Sequence, residues 1–512
     1  MSVKVYSADQ MRRIDKETIE EYGIDGILLM ENAALAIKNE IIKLENINKN
    51  RALIVCGRGN NGGDGFALAR QLLGIFESVK IAFIDDVSKL FGDCKTNYEI
   101  AKKLSIDIIS DFEKITEYAK SSDIIVDALY GFGFRAPLSQ SDEQLVRLIN
   151  ESDAYVLSVD VPSGVCADTG ECACAVCADK TVTFTGYKPA QLMFPAAGFC
   201  GEVCIADIGI PPAVINKYEA DETIGLDFVS TNMAERKRNS HKGNCGKAFI
   251  VGGSRGMSGA VCMSAGAALK SGAGLVTVGL PVGINEIFEK KVTEAMSIVL
   301  CEQENGIISK DAIDEILAFA QKCDTLVIGP GMGRDESVTY ILRECLKNYD
   351  KNIIIDADAL YALSLDTSVL ENTNANVIIT PHHAEMGRLI LQSPEYVEKN
   401  AIKCAKDFAN KYDITVVLKG AYTVIASGTK AYINNSAGNQ GMATGGSGDV
   451  LCGVIASLLH SNEKADVASA CAVYIHALAG DMAKQKFGMT SMVAGDILDM
   501  LPDAFCKIYK EK

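Results

Sequence analysis

The chain has 512 residues, 48% of them apolar, with a formal charge of −16. That length predicts roughly two to four domains with large globular cores. The acidic balance, without a long Lys/Arg run, argues against a nucleic-acid partner, and no apolar stretch is long and charge-free enough to span a bilayer.

The first residues lack a charged segment followed by an apolar core, so no secretion signal is expected. The 17 cysteines, many inside apolar runs, are expected as reduced thiols in a cytoplasmic protein. Ser7-Ala-Asp-Gln10 has the form of a capping box and opens a helical pattern that stops at Gly23. A second helical pattern runs from about Asp25 to about Leu44. Arg51-Ala-Leu-Ile-Val-Cys56 predicts a buried strand. It leads into Gly57-Arg-Gly-Asn-Asn-Gly-Gly-Asp-Gly65 and a helix predicted over residues 66–73. Strand, glycine loop and helix form the first unit of a parallel sheet.

Gly57, Gly59 and Gly62 fit the dinucleotide pattern G-x-G-x-x-G, and Asp85 and Asp86 close the next predicted strand, residues 80–84. Asn60, Asn61 and Asp64 fit that pattern poorly. Two amides and a carboxylate supply oxygens that suit a hard cation or sugar groups better than a bare pyrophosphate. The plain alternative is a βα turn without a ligand. Further strands are predicted over residues 122–127, 154–159 and 181–185, with a glycine-rich loop over 129–138. Ligands in open α/β sheets bind beyond the carboxyl ends of strands. Asn61, Asp127, Asp160, Ser163 and Lys188 all fall at such ends and are expected to converge. Cys166, Cys172, Cys174 and Cys177 crowd the loop after Ser163. Their C-x-C-x-x-C spacing admits zinc, while the lack of a second C-x-x-C pair favours plain thiols.

A polar stretch over residues 217–223 and a basic one over 236–243 place a boundary near residue 220, giving domains over 1–220 and 221–512. The second half repeats the alternation. A strand is predicted near residues 246–253, a small-residue helix over 258–270, and strands over 275–278, 325–328, 352–355, 377–380 and 414–418. That regularity predicts a mostly parallel sheet covered by helices. The closing motif is Gly441-Met-Ala-Thr-Gly-Gly-Ser-Gly-Asp449, followed by an apolar helix. Small residues let backbone approach a ligand, and unpaired N–H groups at a helix start attract phosphate. A carboxylate there repels an anion, so Asp449 makes sense as a base on a hydroxyl held beside a phosphate; a plain N-cap is the alternative. His382 and His383, beside Glu385, are expected to contact a ring or a phosphate, whereas His241, His460 and His476 are expected to be structural.

Asn60-Asn-Gly-Gly-Asp-Gly65, Asp127-Ala-Leu-Tyr-Gly-Phe-Gly133, Ser158-Val-Asp-Val-Pro-Ser-Gly164 and Thr183-Phe-Thr-Gly-Tyr-Lys-Pro189 together resemble, in order, the YjeF N-terminal family, the NAD(P)HX epimerases. The resemblance implies a Rossmann-like three-layer αβα domain. It implies a potassium ion (K+) held by Asn61, Asp127 and Ser163. It implies a dinucleotide cradled by Asn60, Asn61, Gly62, Gly63 and Asp64 and by Gly131, Phe132, Gly133, Phe134, Arg135, Ala136 and Pro137. Asp160 is the implied substrate-binding acid/base residue, with Lys188 close by.

In the second half, residues 325–333, Ile354-Ile-Asp-Ala-Asp-Ala-Leu360, Thr380-Pro-His-His-Ala-Glu385, Leu418-Lys-Gly-Ala421 and Gly445-Gly-Ser-Gly-Asp-Val-Leu451 resemble the ADP-dependent NAD(P)H-hydrate dehydratases, on a ribokinase-like fold. This implies ADP (or ATP) with Mg2+ at Lys419, Gly420, Ala421, Tyr422, Thr423 and Gly448. The hydrated substrate is implied at Ala260, Gly331, Gly333, His382 and Asp449, with Asp449 as the catalytic base. The chain departs from the usual pattern at Ser447, where the family has Thr, and at His383-Ala384, where it has Pro-Gly. Together the resemblances imply a homo-oligomeric enzyme acting on small molecules, NADHX and NADPHX, with an adenine nucleotide. It is expected to epimerise the R and S hydrates and to dehydrate the S form, giving NAD(P)H, AMP and phosphate. The competing readings are a ribokinase-like small-molecule kinase fused to a Rossmann-like binding domain, and an N-terminal half that binds without catalysing.

Overall fold

The computed structural model describes residues 2–510 except Lys237, Ser461 and Glu463. Lys237, within the basic stretch, therefore lies outside the described residues. The chain divides into two compact units: Lys4–Asp221, and the chain from Glu222 onward with the residues before Lys4.

In the first unit the strands Asp107–Ile109, Ser78–Ala82, Arg51–Cys56, Ile124–Ala128, Tyr155–Val159, Lys180–Phe184 and Glu202–Ala206 lie side by side in that order. Each neighbouring pair is parallel. Side chains alternate between the faces. Ile54 and Val126 pack into one apolar layer and Leu53, Val55 and Ile125 into the other. Helices such as Gly26–Ile42 and Asn60–Gln71 on one side and Phe112–Ala119 and Gln140–Asn150 on the other cover both faces, a three-layer αβα arrangement. The chain builds outward from Arg51–Cys56 in one direction, then returns to place Ile124–Ala128 on its other side. The loops after these two strands diverge, which opens a crevice between them.

The helix after the glycine loop begins at Asn60 rather than at the predicted residue 66. A Cβ on Gly62 would lie 1.7 Å from the Gly57 carbonyl oxygen, and one on Gly57 would lie 2.0 Å from that of Leu129. Without side chains the helix start tucks directly against the carboxyl ends of the adjacent strands Arg51–Cys56 and Ile124–Ala128. The next strand ends at Ala82, short of Asp85 and Asp86, and Asp86 caps a short turn by accepting from Ser88 N–H at 2.9 Å.

In the second unit, Lys247–Val251 starts the sheet, with Leu275–Pro281 and Met296–Leu300 to one side. Thr325–Ile328, Asn352–Ile355, Asn376–Ile379 and Thr415–Leu418 follow on the other side, all parallel. An antiparallel hairpin, Thr423–Ser427 with Lys430–Asn434, extends this side beyond the parallel strands expected from the sequence. The helices Ser258–Lys270, Ser447–Leu458, Ala465–Phe487 and Ala494–Lys510 bury one apolar core against the sheet. Among the described residues no helix is long and apolar enough to cross a membrane.

Candidate functional site

In the first unit, the crevice beyond Arg51–Cys56 and Ile124–Ala128 is a cavity of about 550 Å³. Of the residues expected there from the sequence, Asn60, Asn61, Asp64, Gly131, Phe132, Gly133, Phe134, Asp160 and Lys188 line it. Asp160 lies just past the end of Tyr155–Val159 with φ +65°, a backbone strain for an aspartate. Lys188 Nζ sits 2.6 Å from Asp160 Oδ1. The ammonium also donates to Thr183 Oγ1 at 2.8 Å and to the Phe184 carbonyl at 3.0 Å. Thr183 Oγ1 donates to Asp160 Oδ1 and Phe132 N–H donates to Asp160 Oδ2. The strained carboxylate is therefore fixed from three directions.

Asp127 is fully buried beneath this cavity wall. Its oxygens accept from Ser163 Oγ at 2.5 Å, Ser163 N–H at 2.8 Å and Ser158 Oγ at 2.9 Å. Burial pushes its carboxyl up, and the Ser163 and Ser158 bonds oppose that. Asn61 Nδ2 is buried without a hydrogen-bond partner. Gly62 and Gly63 do not line the cavity; Gly62 packs on Gly57, and Gly63 on Met30 and Cys94. Arg135, Ala136 and Pro137 also stand outside the lining. The lining includes Asp15, Arg12 and Asp93, which the motifs do not single out. Asp15 sits beside the buried stripe Met11, Ile14 and Thr18 of its helix, where the sequence alone reads it as an ordinary surface charge. In the 166–177 loop Cys166 is buried, Cys172 and Cys174 are half-buried and Cys177 is exposed, and among the described residues no group of three or more His, Cys, Asp or Glu is placed to hold a metal.

The second unit gathers its predicted residues at the carboxyl ends of its strands. Asp449 is the third residue of Ser447–Leu458, whose N-cap is Gly446, so Asp449 is not the cap. The Asp449 backbone carbonyl accepts from Ser264 Oγ at 3.0 Å. Burial pushes the Asp449 carboxyl up to about 7, Asp356 adds to this, Lys419 opposes it and Asp358 adds again. Lys419 Nζ bonds Asp356 Oδ1 at 2.9 Å and lies beside Gly448, 3.2 Å from where a Cβ would stand. Gly333 N–H donates to Asp358 Oδ2 at 2.8 Å. Gly331 packs on Ala260, and its carbonyl accepts from Ser254 Oγ. Ala357, between the two aspartates, has φ +49°.

His382 pairs in a bridge with Lys419 and caps the helix His383–Ile390, its Nδ1 accepting from Ala384 N–H at 3.1 Å. That leaves Nε2 as its free ring nitrogen, 3.5 Å from Glu385 Oε1. His383 lies against Gly420. Ala421 is exposed and Tyr422 half-buried, and Thr423 Oγ1 donates to the Gly420 carbonyl at 3.3 Å. The residues expected from the sequence do not include Asp356, Asp358 and Glu385, although the first two follow a predicted strand within Ile354-Ile-Asp-Ala-Asp-Ala-Leu360. His476, expected to be structural, is buried with Nε2 3.4 Å from Ser447 Oγ.

Fold and site geometry define a two-part α/β enzyme, each part gathering carboxylates beyond the carboxyl ends of its parallel strands. Residues 26–190 match the model of the YjeF-related protein N-terminus, and residues 248–503 match that of NAD(P)H-hydrate dehydratase. The bifunctional NAD(P)H-hydrate repair enzyme Nnr of Moorella thermoacetica is 37% identical, over 97% of this chain and 95% of its own length. That of Thermofilum pendens is 35% identical (98% and 96%), and that of Escherichia coli 32% (97% and 93%). In fold, the chain is similar to a hypothetic protein of Streptococcus mutans, with a TM-score of 0.50 and 24% identity over 56% of this chain and 99% of that one. The chain belongs to the family of bifunctional NAD(P)H-hydrate repair enzymes, with a YjeF-related N-terminal domain and an NAD(P)H-hydrate dehydratase domain.

Proposed function

We propose that the N-terminal unit interconverts the R and S hydrates of NADH and NADPH, and that the C-terminal unit dehydrates the S form with ADP. The products are NAD(P)H, AMP and phosphate. The observation that carries the reading is the Asp449 carboxyl, raised to about 7 at the start of a helix and beside the Lys419–Asp356 pair. A general base works best near the operating pH. Asp449 takes the proton of the hydrate's hydroxyl while that oxygen bonds to the terminal phosphorus of ADP and AMP leaves. Phosphate then departs from the ring with the C–O bonding pair, the ring nitrogen's lone pair fills in, and loss of the adjacent carbon's proton restores the double bond. Lys419 and the N–H groups of the 445–449 loop stabilise the charge gathering on the phosphoryl oxygens.

In the N-terminal unit, inverting the hydroxyl-bearing carbon requires the ring to open and reclose, hence a proton acceptor and a donor. Asp160 is the acceptor, oriented by Lys188, Thr183 and Phe132. Asn61, Asp127 and Ser163 would hold a potassium ion. The donor set is all oxygen, as a hard cation prefers. Asp127 is a buried carboxylate whose partners are hydroxyl and amide protons, so a bound cation would supply the positive charge there. Magnesium would come with the nucleotide phosphates, and the carboxylates of Asp356 and Asp358, close enough to raise Asp449, would supply hard oxygens for it.

The test mixes the chain with a mixture of R and S hydrate and ADP, and follows reduced-nicotinamide absorbance, AMP and phosphate. Full restoration, with AMP and phosphate released in step, is expected. Restoration stopping near half sinks the epimerase. A stable phosphorylated alcohol in place of free phosphate makes the second unit a kinase.

A further inference from the structure

The N-terminal cavity is walled by four carboxylates, Asp15, Asp64, Asp93 and Asp160. Its cations are Lys188, which is committed to Asp160, and Arg12 and Arg58, whose side chains are exposed. The acidic groups outnumber the buried positive charge, which disfavours ionising all of them together. Where neighbouring carboxyls sit in environments that separate their affinities for protons, the acid and base roles separate with them.

Asp160 has the contacts that favour a carboxylate: Lys188 Nζ, Thr183 Oγ1 and Phe132 N–H. Asp64 is the opposite case. Burial pushes its carboxyl well above the usual range, and Asp160 and Asp15 add to this. Burial raises Asp15 to about 6, with Lys188 opposing and Asp160 adding. Its proton leaves and returns near neutrality.

The position of Asp15 is set by its helix, Ala8–Glu20. Ser7 and Gln10 close the capping box, Ala8 N–H donates to Asp168 Oδ1 at 2.7 Å, and Met11, Ile14 and Thr18 are buried in the core. Met11, Arg12 and Asp15 all reach the cavity from this helix.

We propose that Asp15 is a further catalytic residue of the N-terminal site, giving a proton to the ring nitrogen while Asp160 takes one from the hydroxyl. This rests on the epimerase reading above. As the hydroxyl loses its proton to Asp160, its oxygen forms a C=O bond. The bond between that carbon and the ring nitrogen breaks, its electron pair goes to nitrogen, and nitrogen takes the Asp15 proton. The open aldehyde turns, nitrogen attacks the other face of the carbonyl, Asp15 recovers its proton and the oxygen takes one back from Asp160. No oxidant or co-reactant is consumed.

The test uses the full chain and purified R hydrate with ADP omitted, so that formation of S hydrate reports the N-terminal unit alone. Asp15→Asn is expected to lower kcat for epimerisation by about 10²–10³-fold with KM within about threefold. The wild-type rate falls as pH rises through about 6, because the donor must be protonated, and this limb is absent in Asp15→Asn. Asp15→Glu restores a substantial part of the rate. A thermal melt of the full chain that keeps the wild-type transition of the N-terminal unit, with dehydration of S hydrate by ADP intact in the same preparation, reports that both units are folded. Epimerisation by Asp15→Asn within about threefold of wild type overturns the proposal, as does a slowed variant that keeps the wild-type pH limb. If the wild-type chain does not interconvert the hydrates, the epimerase reading itself fails.

Discussion

Lys188 Nζ lies 2.6 Å from Asp160 Oδ1, with the lysine side chain fully out of water and the aspartate nearly so. A buried ion pair is weak evidence for stability as such, but removing one partner strands the other charge. Lys188→Met is therefore expected to abolish epimerisation and to destabilise the N-terminal unit by about 3–5 kcal/mol. The double variant Lys188→Met/Asp160→Leu, with neither charge present, is expected to recover most of that stability and none of the activity. Denaturant unfolding of the two variants beside wild type checks this. A double variant as unstable as the single one would mean that Lys188 acts through packing.

Asp449 gives a pH dependence with a definite sign. A base must be deprotonated to act, so kcat/KM for S-hydrate dehydration should rise tenfold per unit at low pH and level off above about 7. Stability runs the other way. A carboxyl whose folded pKa lies above its unfolded value of 3.8 holds its proton more tightly when folded. Its contribution to stability is complete below the unfolded value and is lost as pH rises through about 7. Asp449→Asn removes that loss. It should abolish dehydration yet melt above wild type at pH 8, with the gap narrowing steadily toward pH 5. Thermal melts across that range decide; a gap that does not vary with pH would place the Asp449 carboxyl in an ordinary environment.

The two halves are legible in the sequence to different depths. Strands such as Arg51–Cys56 and Asn352–Ile355 stand out because a strand buried on both faces is a continuous apolar run. Acids at strand ends stand out because that is where open sheets bind ligands. Asp15 does not, because a charge on the first helix looks like ordinary solvent-facing polarity until the helix is laid against the crevice. The hairpin over residues 423–434 escapes notice because its short strands are interrupted by Ser427-Gly428-Thr429, which has the composition of a loop. His382 reads as a ligand contact from its place alone. Its capping bonds to Ala384 and Glu385 depend on where the helix begins, which apolar spacing fixes only loosely.

The Asp127 cluster predicts a specific ion response. If potassium completes the oxygen set of Asn61, Asp127 and Ser163, replacing KCl by choline chloride at equal ionic strength should lower epimerisation at least tenfold. It should also lower the melting temperature of the N-terminal unit. Asp127→Asn should abolish both responses, since the buried carboxylate supplies the charge that holds the ion. Equal rates and melts in the two salts would remove potassium from the mechanism.

The glycine pattern itself divides into two roles that substitution separates. A Cβ on Gly62 would stand 1.7 Å from the Gly57 carbonyl oxygen, a backbone atom that cannot swing aside. Gly62→Ala must therefore move the helix off the sheet, at a cost of about 3 kcal/mol or more. A Cβ on Gly59 would meet nothing within 4 Å, and its φ of −93° suits any residue. Yet Gly59 lines the cavity. Gly59→Ala is therefore expected to unfold within about 1 kcal/mol of wild type while raising KM for the R hydrate, because the added methyl projects where substrate must lie. Unfolding curves and epimerase kinetics on the two variants test the division. Gly59→Ala with unchanged KM would mean that the substrate does not approach this loop, and that the resemblance to a dinucleotide fingerprint reflects close packing at Gly57 and Gly62.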